Sequence, residues 1–186
     1  EFISLTAEDG HELAAYEAIP SGEVKGRIVV IQEIFGVNQH IRNVCDRFAA
    51  EGYRAVAPAL YDRLERDVDL GYDEEGFARG LPLRQALDPA RLDDVLRDVK
   101  AVADHLGGAG EAGIVGYCFG GLVVWLAACR LDFACASSYY GRTIEQYADE
   151  VPRCPTICHF GAKDQSIPLA VSEAVRAQRP EVDVHV

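Results

Sequence analysis

Gly116-Tyr117-Cys118-Phe119-Gly120-Gly121 decides how this chain is read. A short apolar run, Ala112 to Val115, leads into it, and an apolar run of helical length, Leu122 to Cys129, leads out. That order is strand, tight turn, helix, with a reactive side chain at the apex. It fits the G-x-S-x-G nucleophile elbow with cysteine in the serine position. A residue on so sharp a turn has a strained backbone, and side chains two positions either side collide with the adjoining strand or helix. Gly116 and Gly120 remove those collisions. Phe119 then presents its N–H beside the sulfur, at the amino end of a helix, where partial positive charge gathers. The competing reading is a buried structural cysteine in an ordinary glycine-rich turn. The strand before and the helix after favour the elbow.

Toward the amino terminus, Phe2 to Thr6 and Glu12 to Ile19 read as two strands around the turn Asp9-Gly10. Arg27 to Gln32 is a β-branched run with the pattern of a central buried strand. Asn38 caps a helix whose apolar positions are Ile41, Val44, Cys45, Phe48 and Ala49; Gly52 ends it, and Tyr53 to Ala57 is the next strand. Pro58 to Asp88 lacks a clean period and reads as an excursion over the sheet's carboxyl edge, where binding loops belong. Asp88-Pro89 reads as a cap followed by proline at the first helical position. The helix beyond has Leu92, Val95, Leu96, Val99, Val102, Ala103 and Leu106 on one stripe, stopped by Gly107-Gly108. Past the elbow helix come a strand from Phe133 to Tyr139 and a capping-box pair, Thr143 and Gln146. A strand from Thr156 to Phe160, a helix from Pro168 to Gln178 and the start of a strand at Val182 follow.

Strands alternating with helices imply right-handed βαβ units and a mostly parallel sheet with helices on both faces. The expectation is a single α/β domain over residues 1–186, with the initial hairpin and the elbow of an α/β-hydrolase. Ligands in such sheets bind outside the carboxyl ends of the strands. The chain has no methionine and stops midway through a strand that needs its partners and a closing helix. It reads as an internal portion of a longer protein.

Of 186 residues, 49% are apolar and 26% charged, which fits a soluble domain with a substantial core. The net charge of −12 disfavours nucleic acid and anionic membrane surfaces as partners. No stretch reaches transmembrane length and no signal pattern opens the chain, so a cytoplasmic location is expected. Six cysteines, at 45, 118, 129, 135, 154 and 158, are not needed as a disulfide framework in a chain of this size. Cys154, Cys158 and His159 suggest zinc, but 158 and 159 point to opposite faces of a strand, so no metal is expected. Five cysteines then read as small core residues, and Cys118 stands apart by its setting.

Cys118 lies at a strand's carboxyl end and, being mostly protonated near neutral pH, needs a base. Asp164, in Gly161-Ala162-Lys163-Asp164, follows the nucleophile as a triad acid should. It reads equally as a loop aspartate capping the helix after Ser166. Only His185 follows Asp164, and it lies inside a β-type run; the catalytic histidine is expected just beyond Val186. The loop Gln32-Glu33-Ile34-Phe35-Gly36 follows the third strand, the place of the second oxyanion donor. The backbone N–H of Ile34 is assigned that role, opposite the N–H of Phe119. Glu33 is either a solvated loop charge or a group that helps take the proton from Cys118.

With these residues assembled, the chain resembles the dienelactone hydrolase family. Gln32-Glu33-Ile34-Phe35-Gly36-Val37-Asn38, Pro58-Ala59-Leu60-Tyr61, the elbow, Tyr139-Tyr140-Gly141 and the Gly161–Asp164 loop carry the likeness, in the family's order and across essentially the whole chain. The resemblance implies a Cys-His-Asp triad including Cys118 and Asp164, and a glutamate, matched by Glu33, that activates the thiol only when substrate binds. It implies hydrolysis of a dienelactone ring to maleylacetate in the degradation of chlorinated aromatics, without a cofactor. Arginines grip the substrate carboxylate in that family; the excursion before the long helix offers Arg79 and Arg84. Two readings from other classes compete: a catalytically silent binding domain on the same fold, suggested by the absent histidine, and a thiol redox sensor, suggested by the cysteine count.

Overall fold

The computed structural model describes residues 1–108 and 110–186. The strands are β1 (Phe2–Thr6), β2 (Glu12–Ala18), β3 (Gly26–Ile31), β4 (Tyr53–Pro58), β5 (Ala112–Tyr117), β6 (Cys135–Tyr139), β7 (Thr156–His159) and β8 (Asp183–His185). The α-helices are α1 (Gln39–Ala50), α2 (Glu74–Leu87), α3 (Leu92–His105), α4 (Phe119–Arg130) and α5 (Leu169–Gln178). The strands form one sheet in the order β1-β2-β4-β3-β5-β6-β7-β8. β1 pairs antiparallel with β2, and β2 with β4; from β4 to β8 the pairing is parallel.

Two-residue periodicity sorts the core into two layers. Val29, Ile31, Val56 and Ile114 point toward α3 and α4, packing with Val95, Val99, Leu122 and Trp125. Their neighbours Val30, Ala55, Ala57 and Val115 point the other way, onto Ile41, Val44 and Cys45 of α1. α4 is buried from Phe119 through Cys129, as its unbroken apolar sequence requires. Trp125, the only tryptophan, is 0% exposed, and its indole N–H donates to the Tyr147 carbonyl at 3.0 Å.

Asn38 caps α1 as expected, its side chain accepting from Ile41 N–H at 3.2 Å, and Gly52 follows the helix at φ +95°. Three local expectations fail. The excursion contains α2, a helix of 14 residues with Pro82 inside it. Its period is obscured because Gly76 and Gly80 face inward in place of large apolar side chains. Asp88 does not cap α3; its carboxylate meets Arg84 at 2.5 Å, and α3 starts at Leu92. Thr143 makes no cap either. It adopts φ +68°, and its hydroxyl donates to the Arg142 carbonyl, ahead of a 3-10 turn over Ile144–Tyr147.

Burial has a measurable consequence in the thiols. Desolvation pushes Cys45, Cys129 and Cys158 from 9.0 up to about 12. The unfolded chain's thiols ionise first, so stability is intact below pH 9 and is lost as pH rises toward 12. The loss is up to about 1.4 kcal/mol per pH unit for each thiol. Urea midpoints should therefore fall between about pH 8 and about pH 10; equal midpoints would contradict the burial.

Candidate active site

The elbow forms where β5 ends. Cys118 has φ +55° and ψ −114°, outside the ordinary basins for a side chain of its kind. Its surroundings hold that strain in place. A Cβ on Gly116 would sit 2.4 Å from the Gly120 carbonyl oxygen, and one on Gly120 would sit 2.6 Å from the carbonyl oxygens of both Ile31 and Gln32. The first turn of α4 therefore rests directly on the carboxyl end of β3. Cys118 N–H donates to the Tyr139 carbonyl at 3.0 Å, fixing the bend to β6 as well.

Burial pushes the Cys118 thiol above its ordinary value. The Phe119 N–H, hydrogen-bonded toward the sulfur, opposes that shift; Glu33 adds to it, and the guanidinium groups of Arg84 and Arg142 oppose it. Glu33 and Arg84, from a loop and a helix separate in sequence, thus lie close enough for their opposite charges to act on the sulfur. Arg84 is also ion-paired with Asp88. Arg79 lies elsewhere, half exposed and paired with Glu65 at 2.7 Å. Of the two expected arginines, Arg84 is the one whose charge acts on the thiol.

The loop after β3 is held from several sides. Gln32 is fully buried; its amide oxygen accepts from Leu60 N–H at 3.1 Å and its amide nitrogen donates to the Glu33 carbonyl at 3.3 Å. In a trans peptide the N–H lies opposite the carbonyl, so this bond turns the Ile34 N–H away from Gln32. That N–H meets no acceptor among the described residues. The Ile34 carbonyl accepts from the Tyr61 hydroxyl at 3.1 Å and abuts Gly80 of α2, where a Cβ would lie 2.3 Å away.

Asp164 sits in the loop after β7. One carboxylate oxygen accepts from Ser166 N–H at 2.7 Å and Ile167 N–H at 3.2 Å. It ties the loop and does not cap α5, which starts at Leu169. The histidines lie in other contacts. His105 meets Glu17 at 3.0 Å. His40 packs edge-on against Tyr72 and Tyr117. His159 stacks between Tyr139 at 4.4 Å and His185 at 5.4 Å, and His185 meets Asp183 at 3.1 Å. β8 is three strands from β5, about 14 Å at the usual spacing, so His185 is out of hydrogen-bond reach of Cys118. Cys158 enters the helix-side core while His159 lies on the opposite face, and no cluster of three or more potential metal ligands occurs among the described residues.

Sequence reasoning missed three neighbours of the thiol. The Tyr72 hydroxyl donates to Glu33 Oε2. Tyr140, at φ +40°, has its phenol pushed up by burial and by the nearby Glu33. Arg142 follows in the same bend. The pair Tyr139-Tyr140 was visible only as part of a motif; nothing in the local sequence marked Tyr72 or Arg142. No helix among the described residues is long and apolar enough to cross a membrane.

An eight-stranded, mostly parallel sheet with a nucleophile elbow at the end of β5 defines an α/β-hydrolase fold. Comparison narrows the class. The family model for the dienelactone hydrolase family matches residues 13–186, and the chain belongs to that family. It is 37% identical over 160 residues to a Synechocystis protein named as a candidate carboxymethylenebutenolidase, covering 80% of this chain and 65% of that protein. It is 33% identical over 192 residues to the carboxymethylenebutenolidase of Pseudomonas putida, covering 100% of this chain and 81% of the relative. The crystal structure of a candidate dienelactone hydrolase from Klebsiella pneumoniae superposes with a TM-score of 0.78 at 29% identity, covering 100% of this chain and 86% of the other.

Proposed function

We propose that the chain acts as a cysteine-nucleophile hydrolase of lactones or small carboxylic esters, with a dienelactone opened to maleylacetate as the leading reaction. One observation carries the reading: Cys118 stands on a strained bend, with the Phe119 N–H hydrogen-bonded toward its sulfur and the Glu33 charge close enough to act on it. In this scheme Glu33 takes the thiol proton. The thiolate attacks the carbonyl carbon, and the Phe119 and Ile34 N–H groups receive the oxyanion, each worth about 2.7–4 kcal/mol. The carbon–oxygen ester bond breaks, leaving a thioester, and the departing oxygen takes a proton. Water then cleaves the thioester and frees the sulfur. Asp164 serves as the triad acid that orients a histidine. The role of that histidine is not given to any of the five in this sequence; His40, His105, His159 and His185 are held in the contacts described above, and His11 lies in the turn between β1 and β2. Arg84 is the better candidate of the two arginines for a substrate carboxylate, because its charge acts on the sulfur. The names of the relatives support the lactone, and no cofactor enters the scheme.

Turnover of cis- and trans-dienelactone and simple aryl esters tests this. The expected result with an aryl ester is a burst of about one alcohol per Cys118, followed by slower turnover. A catalytically silent domain is the second reading, favoured by the histidine contacts; absence of both burst and turnover would support it. A redox sensor calls for a thiol of lowered pKa, and the upward shift at Cys118 speaks against one.

A further inference from the structure

We propose that Tyr72 is a positioning residue that fixes Glu33 for proton transfer, its hydroxyl anchoring one carboxylate oxygen so that the other is left for the Cys118 thiol. This rests on the reading of Glu33 as the group that takes the thiol proton.

Tyr72 belongs to a segment that the fold sews onto the loop carrying Glu33. Gly36 and Asp69 form an isolated antiparallel bridge, and Leu70 N–H donates to the Phe35 carbonyl at 3.0 Å. The Asn38 side chain donates to the Leu70 carbonyl at 3.1 Å. Arg42 joins the Val37 carbonyl at 2.7 Å to the Asp69 carboxylate at 2.8 Å. Gly36 permits this approach: it has φ +77°, and a Cβ there would lie 2.0 Å from the Val68 carbonyl oxygen. The chain therefore reaches residue 72 alongside residue 33, 39 positions away in sequence. The Tyr72 ring leans on Phe35 at 4.6 Å and meets His40 edge-on at 6.1 Å.

The hydroxyl is a dependable donor. Although the Tyr72 ring is largely exposed, partial desolvation and the hydrogen-bonded Glu33 carboxylate push its phenol up to about 12, so it keeps its proton throughout the neutral range. An O–H bond to a carboxylate is among the stronger hydrogen bonds of proteins. It restrains a flexible side chain before substrate arrives, so the entropy of ordering it is not lost at the moment of reaction. A carboxylate has two oxygens; with Oε2 held by Tyr72, Oε1 is free to accept from the sulfur. Tyr140 and Tyr117 also lie near enough to feel the Glu33 charge, but Tyr140 follows β6 and Tyr117 ends β5, and neither is part of the segment stitched to this loop.

Tyr72→Phe keeps the ring and removes only the hydroxyl. Steady-state hydrolysis of an aryl ester by Tyr72→Phe, Glu33→Gln and the double variant tests the proposal, with alkylation of Cys118 by iodoacetamide, located by peptide mass mapping, as a second readout. The expected result is a fall of about tenfold in kcat for Tyr72→Phe, KM within about twofold, and a matching fall in the alkylation rate. Glu33→Gln should be slower still, and the double variant no slower than Glu33→Gln alone. Wild-type kcat and alkylation in Tyr72→Phe, or losses that multiply in the double variant, would overturn the role of Tyr72 while leaving Glu33 in place. Wild-type rates in Glu33→Gln would overturn the reading of Glu33, and this proposal with it. If no variant turns over ester, the alkylation rates decide on the same terms.

Discussion

Cys118→Ala should lower ester or lactone hydrolysis at least about a thousandfold and abolish the burst. Removing the sulfur removes the atom that would form the thioester in the proposed scheme, and no other thiol is placed to replace it. Cys45, Cys129 and Cys158 are buried, and Cys135 and Cys154 lie at the amino ends of β6 and β7, remote from the elbow. Alanine keeps the Cβ and leaves the glycine contacts at the bend untouched, so the loss of rate is not a loss of fold. Residual activity would come from the two backbone donors alone. Cys118→Ser should also be poor. Its hydroxyl is a much weaker acid than a thiol, and the proposed role of Glu33 depends on the easier proton. Initial rates and pre-steady-state traces read both variants; turnover by Cys118→Ala equal to the parent's would remove the nucleophile from the scheme.

Gly120→Ala has the second large effect, on stability and activity together. The new methyl would lie 2.6 Å from two backbone oxygens, those of Ile31 and Gln32, and 2.9 Å from the Ile31 side chain. No flexible side chain is there to give way, so α4 and the end of β3 must part. Overpacking of this kind costs about 3 kcal/mol, the upper part of its usual range. The separation also moves Phe119 from Ile34, so surviving protein should lose activity by more than its unfolded fraction explains. Gly22→Ala is the control: nothing lies within 4 Å of a Cβ there, and stability should stay within about 0.5 kcal/mol. Urea unfolding of both variants measures the difference, and equal midpoints would show that the elbow is not under that constraint.

The sheet and the elbow were legible because their signals are local. The β-branched run of β3, the stripe on α3 and the glycines around Cys118 each fix a neighbouring stretch of backbone. α2 was hidden because its inward face is built from Gly76 and Gly80, chosen for close backbone approach rather than for apolar area. The caps read at Asp88 and Thr143 failed because stronger partners claimed those residues: Arg84 holds Asp88, and Thr143 turned left-handed to follow the bend after β6. The choice between Arg79 and Arg84 needed the helix, since only its orientation tells which one faces Cys118. Tyr72 was invisible for a different reason. Its meeting with Glu33 depends on a bridge between segments far apart in sequence, and neither segment alone carries a pattern that announces it.

The chain's sole indole lies in the helix that starts directly after Cys118, walled off from water and bonded to the Tyr147 carbonyl. Its fluorescence is therefore a private signal from α4. Any event that loosens the seat of the sulfur should redden that emission, and a spectrum recorded beside each activity assay separates a damaged reaction centre from a chemically silenced one.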